Sequence, residues 1–111
     1  MIDLETMGNK SYSSIVSIGA VEFDLETGET GKEFYHVVSL DSCMLMGLMP
    51  NADTIMWWMK QNEQARMELV NAPTISINEA LIAFSGFVRG KNYCMWGNSA
   101  RFDLGLLQNA Y

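Results

Sequence analysis

Apolar and polar positions alternate with a period of two through the first third of the chain and then change to a helical period. Ile2-Asp3-Leu4-Glu5 alternates apolar with acidic residues, Ile15 to Phe23 is rich in β-branched residues, and a second β-like run spans Lys32 to Val38. Between those runs lies Asp24-Leu25-Glu26-Thr27-Gly28-Glu29. Its glycine suits a hairpin turn, so the two runs are predicted to pair antiparallel and the first strand to join them. Leu40 to Asn51 shows no clear period and reads as a loop that ends at Pro50. Asp53 is predicted to cap a short helix through Thr54 to Lys60, with Asn62 restarting a second turn. Ser76-Ile77-Asn78-Glu79 forms a capping box, and Ala80, Leu81, Phe84, Phe87 and Val88 follow at helical spacing until Gly90. Tyr93-Cys94-Met95-Trp96 reads as a short buried strand, leading through Gly97 to Ala100 into a final helix that begins near Phe102-Asp103-Leu104.

The composition makes this a packed domain. Hydrophobic residues are 49% and charged residues 18% of the 111, which excludes a disordered chain and bounds the molecule at one domain. No apolar run approaches the ~20 residues of a membrane helix, and no basic-then-apolar leader opens the chain, so a cytoplasmic protein without membrane contact is expected. Cys43 and Cys94 stand far apart in apolar surroundings and read as buried thiols rather than a disulfide or a zinc site. A net charge of −6 argues against a basic surface that grips long nucleic acid by its phosphates. It leaves room for a small metal-dependent site, because bound cations can reverse the local sign of an acidic cluster.

On a strand, Asp3 and Glu5 point to one side and Ile2 and Leu4 to the other. A carboxylate pair at the open end of a strand offers the hard oxygen ligands that Mg²⁺ and Mn²⁺ prefer, although an acid-x-acid triplet is also ordinary surface charge. Asp24-Leu25-Glu26-Thr27 repeats the tetrapeptide Asp3-Leu4-Glu5-Thr6 and reads as a solvent-exposed turn. His36, the single histidine, lies within a strand and reads as structural or half-exposed. Gly19 marks either a close approach of backbone or ligand, or a bulge. Trp57 and Trp58 cannot both face inward on a helix, so one is expected to pack in a core or interface and the other to be partly exposed, where a base could stack.

Together, four features resemble the DEDD (DnaQ-like) 3′-5′ exonucleases, most closely their small phage and bacterial members, over essentially the whole chain. They are Asp-x-Glu-Thr ending the first strand, Ile-Val-Ser-Ile-Gly-Ala-Val in the second, the Trp-Trp helix, and Trp-Gly-Asn-x-x-x-Phe-Asp at a strand-to-helix junction. The resemblance implies an α/β fold of the ribonuclease H-like kind. Its mixed sheet, with flanking helices, would have an antiparallel hairpin and first strand and place the Tyr93 strand beside the first; lacking the later strands, it would be one partial domain over residues 1–111, truncated at its C-terminus.

The same resemblance assigns Asp3 and Glu5 to the first exonuclease motif and Asp103 to the second. It implies two Mg²⁺ or Mn²⁺ ions, with Asp3 bridging both, Glu5 holding one and orienting water, and Asp103 binding the other. Thr6, Met7 and Gly8 would lie against the terminal nucleotide, with Phe102 beside them. The substrate implied is the 3′ end of single-stranded DNA or RNA, with the sugar unspecified. The third motif, an acid preceded by a His or Tyr base, does not occur before Tyr111, so this chain is expected to be incomplete or weakly active. A non-catalytic remnant or interaction module of the same fold is the alternative; an integrase-like enzyme suits the Asp-x-Glu pair less well. Ending at Tyr111 is expected to leave apolar area uncovered around Trp96, Leu104, Leu106 and Leu107, and so to favour a homo-oligomer, most simply a two-fold dimer.

Overall fold

The computed structural model describes residues 1–89, 97, 105–107, 110 and 111. Its elements in chain order are β1 (Ile2–Thr6), β2 (Ile15–Phe23), β3 (Thr30–Val38), α1 (Leu40–Leu45), α2 (Ala52–Met59), α3 (Glu63–Asn71), β4 (Thr74–Ile75) and α4 (Ile77–Val88). Among the described residues four strands form one mixed sheet in the order β1-β2-β3-β4, antiparallel through the first three and parallel between β3 and β4. Helices flank it, giving the α/β arrangement of a ribonuclease H-like fold. The expected strand at Tyr93 to Trp96, with Cys94, Gly90, Phe102, Asp103 and Leu104, lies outside the described residues.

The β2–β3 turn forms because Asp24 satisfies the local backbone. Its Oδ1 accepts from Glu26 N at 2.8 Å, its carbonyl accepts from Gly28 N at 2.8 Å, and Gly28 takes the positive φ of 73° that a side chain would resist. Asp24 and Glu26 are exposed there. The repeated tetrapeptide is therefore a turn, while Asp3-Leu4-Glu5-Thr6 is strand.

One face of the sheet carries the core. Cross-strand rows Ile2 with Ala20 and Leu4 with Ile18 present apolar side chains to α4, which contributes Ile77, Ala80, Leu81 and Phe84. Phe34 meets the edge of Phe84 at 5.7 Å and that of His36 at 4.9 Å, so the histidine is a half-buried packing residue. The capping box of α4 forms as expected: Ser76 Oγ accepts from Glu79 N at 3.1 Å.

Three local expectations are corrected. Leu40 to Leu45 is a helix, capped by Ser39 and bridged to α4 where Ser42 Oγ accepts from Ile77 N at 2.8 Å. Only Cys43 of that helix is buried, so it carries no apolar stripe for a period to reveal. The cap of α2 is Asn51, not Asp53; its side chain accepts from Asp53 N, and the helix begins at Ala52, two residues before the expected Thr54. Leu106 and Leu107 are not uncovered: they are 1% and 4% exposed within the core cluster. The Tyr111 hydroxyl holds that end of the chain down, donating to Leu81 O at 2.7 Å and accepting from Ser85 Oγ at 2.6 Å. The apolar patch from which self-association was expected is thus closed at these two leucines by the chain's own core.

Candidate functional site

The alternation of β1 sends Ile2 and Leu4 into the core and leaves Asp3 exposed and Glu5 half-buried on the opposite face. Asp3 pairs with Gly19 and Glu5 with Ser17 on β2. Immediately after Glu5 the register shifts, Thr6 pairing with Ile15. A bulge at this point ends the regular ladder and turns the chain out of the sheet.

The residues that follow are fastened on several sides. Met7 N donates to Ser14 O at 2.9 Å, and Met7 O accepts from Asn51 N, the cap residue of α2, at 2.6 Å. Thr6 Oγ1 donates to Gly8 O at 2.7 Å, and Thr6 O accepts from the indole Nε1 of Trp58 at 3.0 Å. Gly8 is buried, and a Cβ there would collide with the Ser13 hydroxyl. Of the three residues expected to face the nucleotide, Thr6 and Met7 are half-buried and Gly8 packs inside the turn.

Beside Asp3 runs a shallow groove of about 210 Å³, walled by Tyr35 and floored by Gly19, with Glu33 at its far end. Gly19 stands in a regular part of the ladder, and the register shifts of β2 fall elsewhere, so the bulge alternative does not apply to it. Tyr35 is 58% exposed and had no signal in the sequence, since an aromatic on a strand is as ready to pack inward as outward. The Trp57-Trp58 pair was visible as a pair, but the carbonyl it reaches lies 52 positions away, beyond any local pattern.

Asp3 and Glu5 supply carboxylate oxygens on one strand face, a donor set that fits a hard divalent cation. Among the described residues no cluster of three or more acidic, His or Cys side chains forms, and Asp103, the third expected ligand, lies outside them with Phe102. Cys43 is far from metal chemistry: it is fully buried, its Sγ donates to Ile15 O at 3.3 Å, and burial pushes its pKa up. Among the described residues no helix is long and apolar enough to cross a membrane.

A family model described as the Rv2179c-like 3′-5′ exoribonuclease domain matches residues 1–111. No curated protein and no solved structure matches significantly.

Proposed function

The chain belongs to the Rv2179c-like 3′-5′ exoribonuclease domain family, and on that premise we propose that Asp3 and Glu5 are the metal-holding carboxylates of a DEDD-type site that removes nucleotides from the 3′ end of single-stranded RNA. The observation that carries this reading is the placement of both acids on the open face of β1, with Glu5 immediately before the register shift and the fastened Thr6-Met7-Gly8 segment. Asp103, by its place in the Phe-Asp pair, completes the ligand set in this proposal. Divalent ions bound there would supply a water of lowered pKa and charge stabilisation for the leaving oxygen.

The protein's own contribution is position. Asp3 reaches into solvent beside an open groove, so a phosphodiester has access to its oxygens. Glu5, half-buried, is held more firmly and suits the orienting of a water. The bonds from Trp58, Asn51 and Ser14 fix the backbone after Glu5, so little reorganisation is needed when the terminal nucleotide arrives.

The test is hydrolysis of a 5′-labelled single-stranded RNA with Mg²⁺ or Mn²⁺. A ladder shortening one nucleotide at a time from the 3′ end, lost in Asp3→Asn, supports the proposal. Products that begin at internal positions, or activity that survives Asp3→Asn, reject it.

A further inference from the structure

Helix α2 buries none of its residues, although Ile55, Met56, Trp57 and Met59 are all apolar. Trp57 is 53% exposed, as expected of one member of the pair, and Trp58 is half-buried but stands outside the core cluster. What Trp58 does instead is tie the helix to the site. Its Nε1 donates to the carbonyl of Thr6, the residue next to Glu5, and its ring takes Trp57 edge-to-face at 5.0 Å and 82°. Asn51, which caps the same helix, donates to Met7 O. An exposed indole is thereby held one ring away from the strand end that carries the carboxylates.

The charge of the chain says what such an indole is for. At a net −6 the protein gains little affinity from phosphate contacts, and a ribonuclease must still hold its strand. Single-stranded RNA offers unstacked base faces, and stacking on an aromatic ring supplies affinity without cationic residues. We propose that Trp57 is the stacking platform for a nucleobase of the bound RNA strand, and that Trp58 is the positioning residue that fixes this platform relative to β1. This rests on the reading of Asp3 and Glu5 as the hydrolytic site.

The experiment measures binding of a fluorescein-labelled single-stranded RNA oligonucleotide by anisotropy, with Ca²⁺ in place of Mg²⁺, beside hydrolysis in Mg²⁺. Trp57→Ala weakens binding roughly ten- to a hundredfold, raises KM more than it lowers kcat, and leaves the thermal midpoint near that of the parent. Trp57→Phe recovers most of the affinity. The loss is the same at low and high salt, whereas a lost phosphate contact would change the salt slope. Trp58→Phe, which keeps a ring and removes the N–H, gives an intermediate loss. Unchanged binding by Trp57→Ala overturns the proposal. So does a loss of self-association in that variant with RNA affinity intact, which would make the helix face a protein contact. Persistence of hydrolysis in Asp3→Asn, with RNA binding still dependent on Trp57, would overturn the hydrolytic reading and leave the platform standing.

Discussion

Asp3 lies directly across the β1–β2 ladder from Gly19, and the missing side chain at Gly19 leaves the floor of the groove beside the carboxylate open. A Cβ there would meet Asp3 O at 3.5 Å and Tyr35 Cδ2 at 3.7 Å, both ordinary contacts. Nothing in the backbone requires glycine, so Gly19→Ala should fold and gain about 0.4–1 kcal/mol from the stiffer unfolded chain. Gly19→Val should keep the fold, since β-branched residues suit strands, but its methyls fill the groove and slow RNA hydrolysis. Thermal unfolding with steady-state hydrolysis on both variants separates the effects. A valine variant with full activity would show that the groove is not used.

Two copies of one tetrapeptide provide an internal control. Asp3→Asn or Glu5→Gln should lower hydrolysis by about a hundredfold or more, the usual scale for losing one electrostatic contributor to a transition state. EDTA should abolish the activity of the parent, and added Mg²⁺ or Mn²⁺ should restore it. The pair Asp24→Asn and Glu26→Gln should change hydrolysis less than about twofold, because Asn keeps the Oδ1 acceptor that holds the turn together. A large loss from the turn variants would reverse the assignment of the copies.

The contrast between these copies marks how far the sequence was legible. Strands β1 to β3 and helix α4 follow from alternation, a glycine turn and a capping box, all of which act within a few residues. Leu40 to Leu45 did not, because a short helix that buries only Cys43 has no period to read. β4 escaped for a related reason: two residues, Thr74 and Ile75, are strand only because β3 lies beside them. Around the candidate site, the shared strand face of Asp3 and Glu5 was legible from their spacing, whereas the Trp58 bond to Thr6 and the Tyr35 wall are products of tertiary packing. The burial of Leu106 and Leu107 was mispredicted since the core they enter is assembled from Ile2, Phe84 and others distant in the chain.

Cys43 gives a pH dependence whose sign follows from burial. Its thiol is fully buried with a raised pKa, because desolvation disfavours the thiolate. The folded state therefore keeps the proton that the unfolded chain releases first. The contribution is fully present below the ordinary thiol pKa of ~8.5 and is lost progressively as pH rises towards the higher folded value. Urea unfolding between neutral and alkaline pH should show the parent losing stability faster than Cys43→Ala, which is less stable at neutral pH through its lost packing. Parallel curves for the two proteins would contradict the assignment.

Gly8 offers a way to tell a packing requirement from a substrate contact within the segment beside the carboxylates. Its φ is not positive, so glycine is not needed there for backbone freedom. The constraint is space: a Cβ would strike the Ser13 hydroxyl, come to 3.0 Å from Ser13 Cβ and to 3.3 Å from Asn51 Cβ. Ser13 has no room to retreat, being 1% exposed with its Oγ accepting from Lys10 N at 2.8 Å and its N donating to Lys10 O at 3.1 Å. Gly8→Ala should therefore cost about 1–3 kcal/mol, the usual range for overpacking. Ser13→Ala alone should cost about 1 kcal/mol through the lost hydrogen bond to Lys10. In the double variant the hydroxyl collision is gone while the tight Cβ contacts remain, so its cost should be less than the sum of the two single costs. Denaturant unfolding of the four proteins completes the cycle. Strict additivity, or a Gly8→Ala protein that keeps its full stability and loses only RNA affinity, would place the importance of Gly8 in contact with the nucleotide instead of in the packing of its turn.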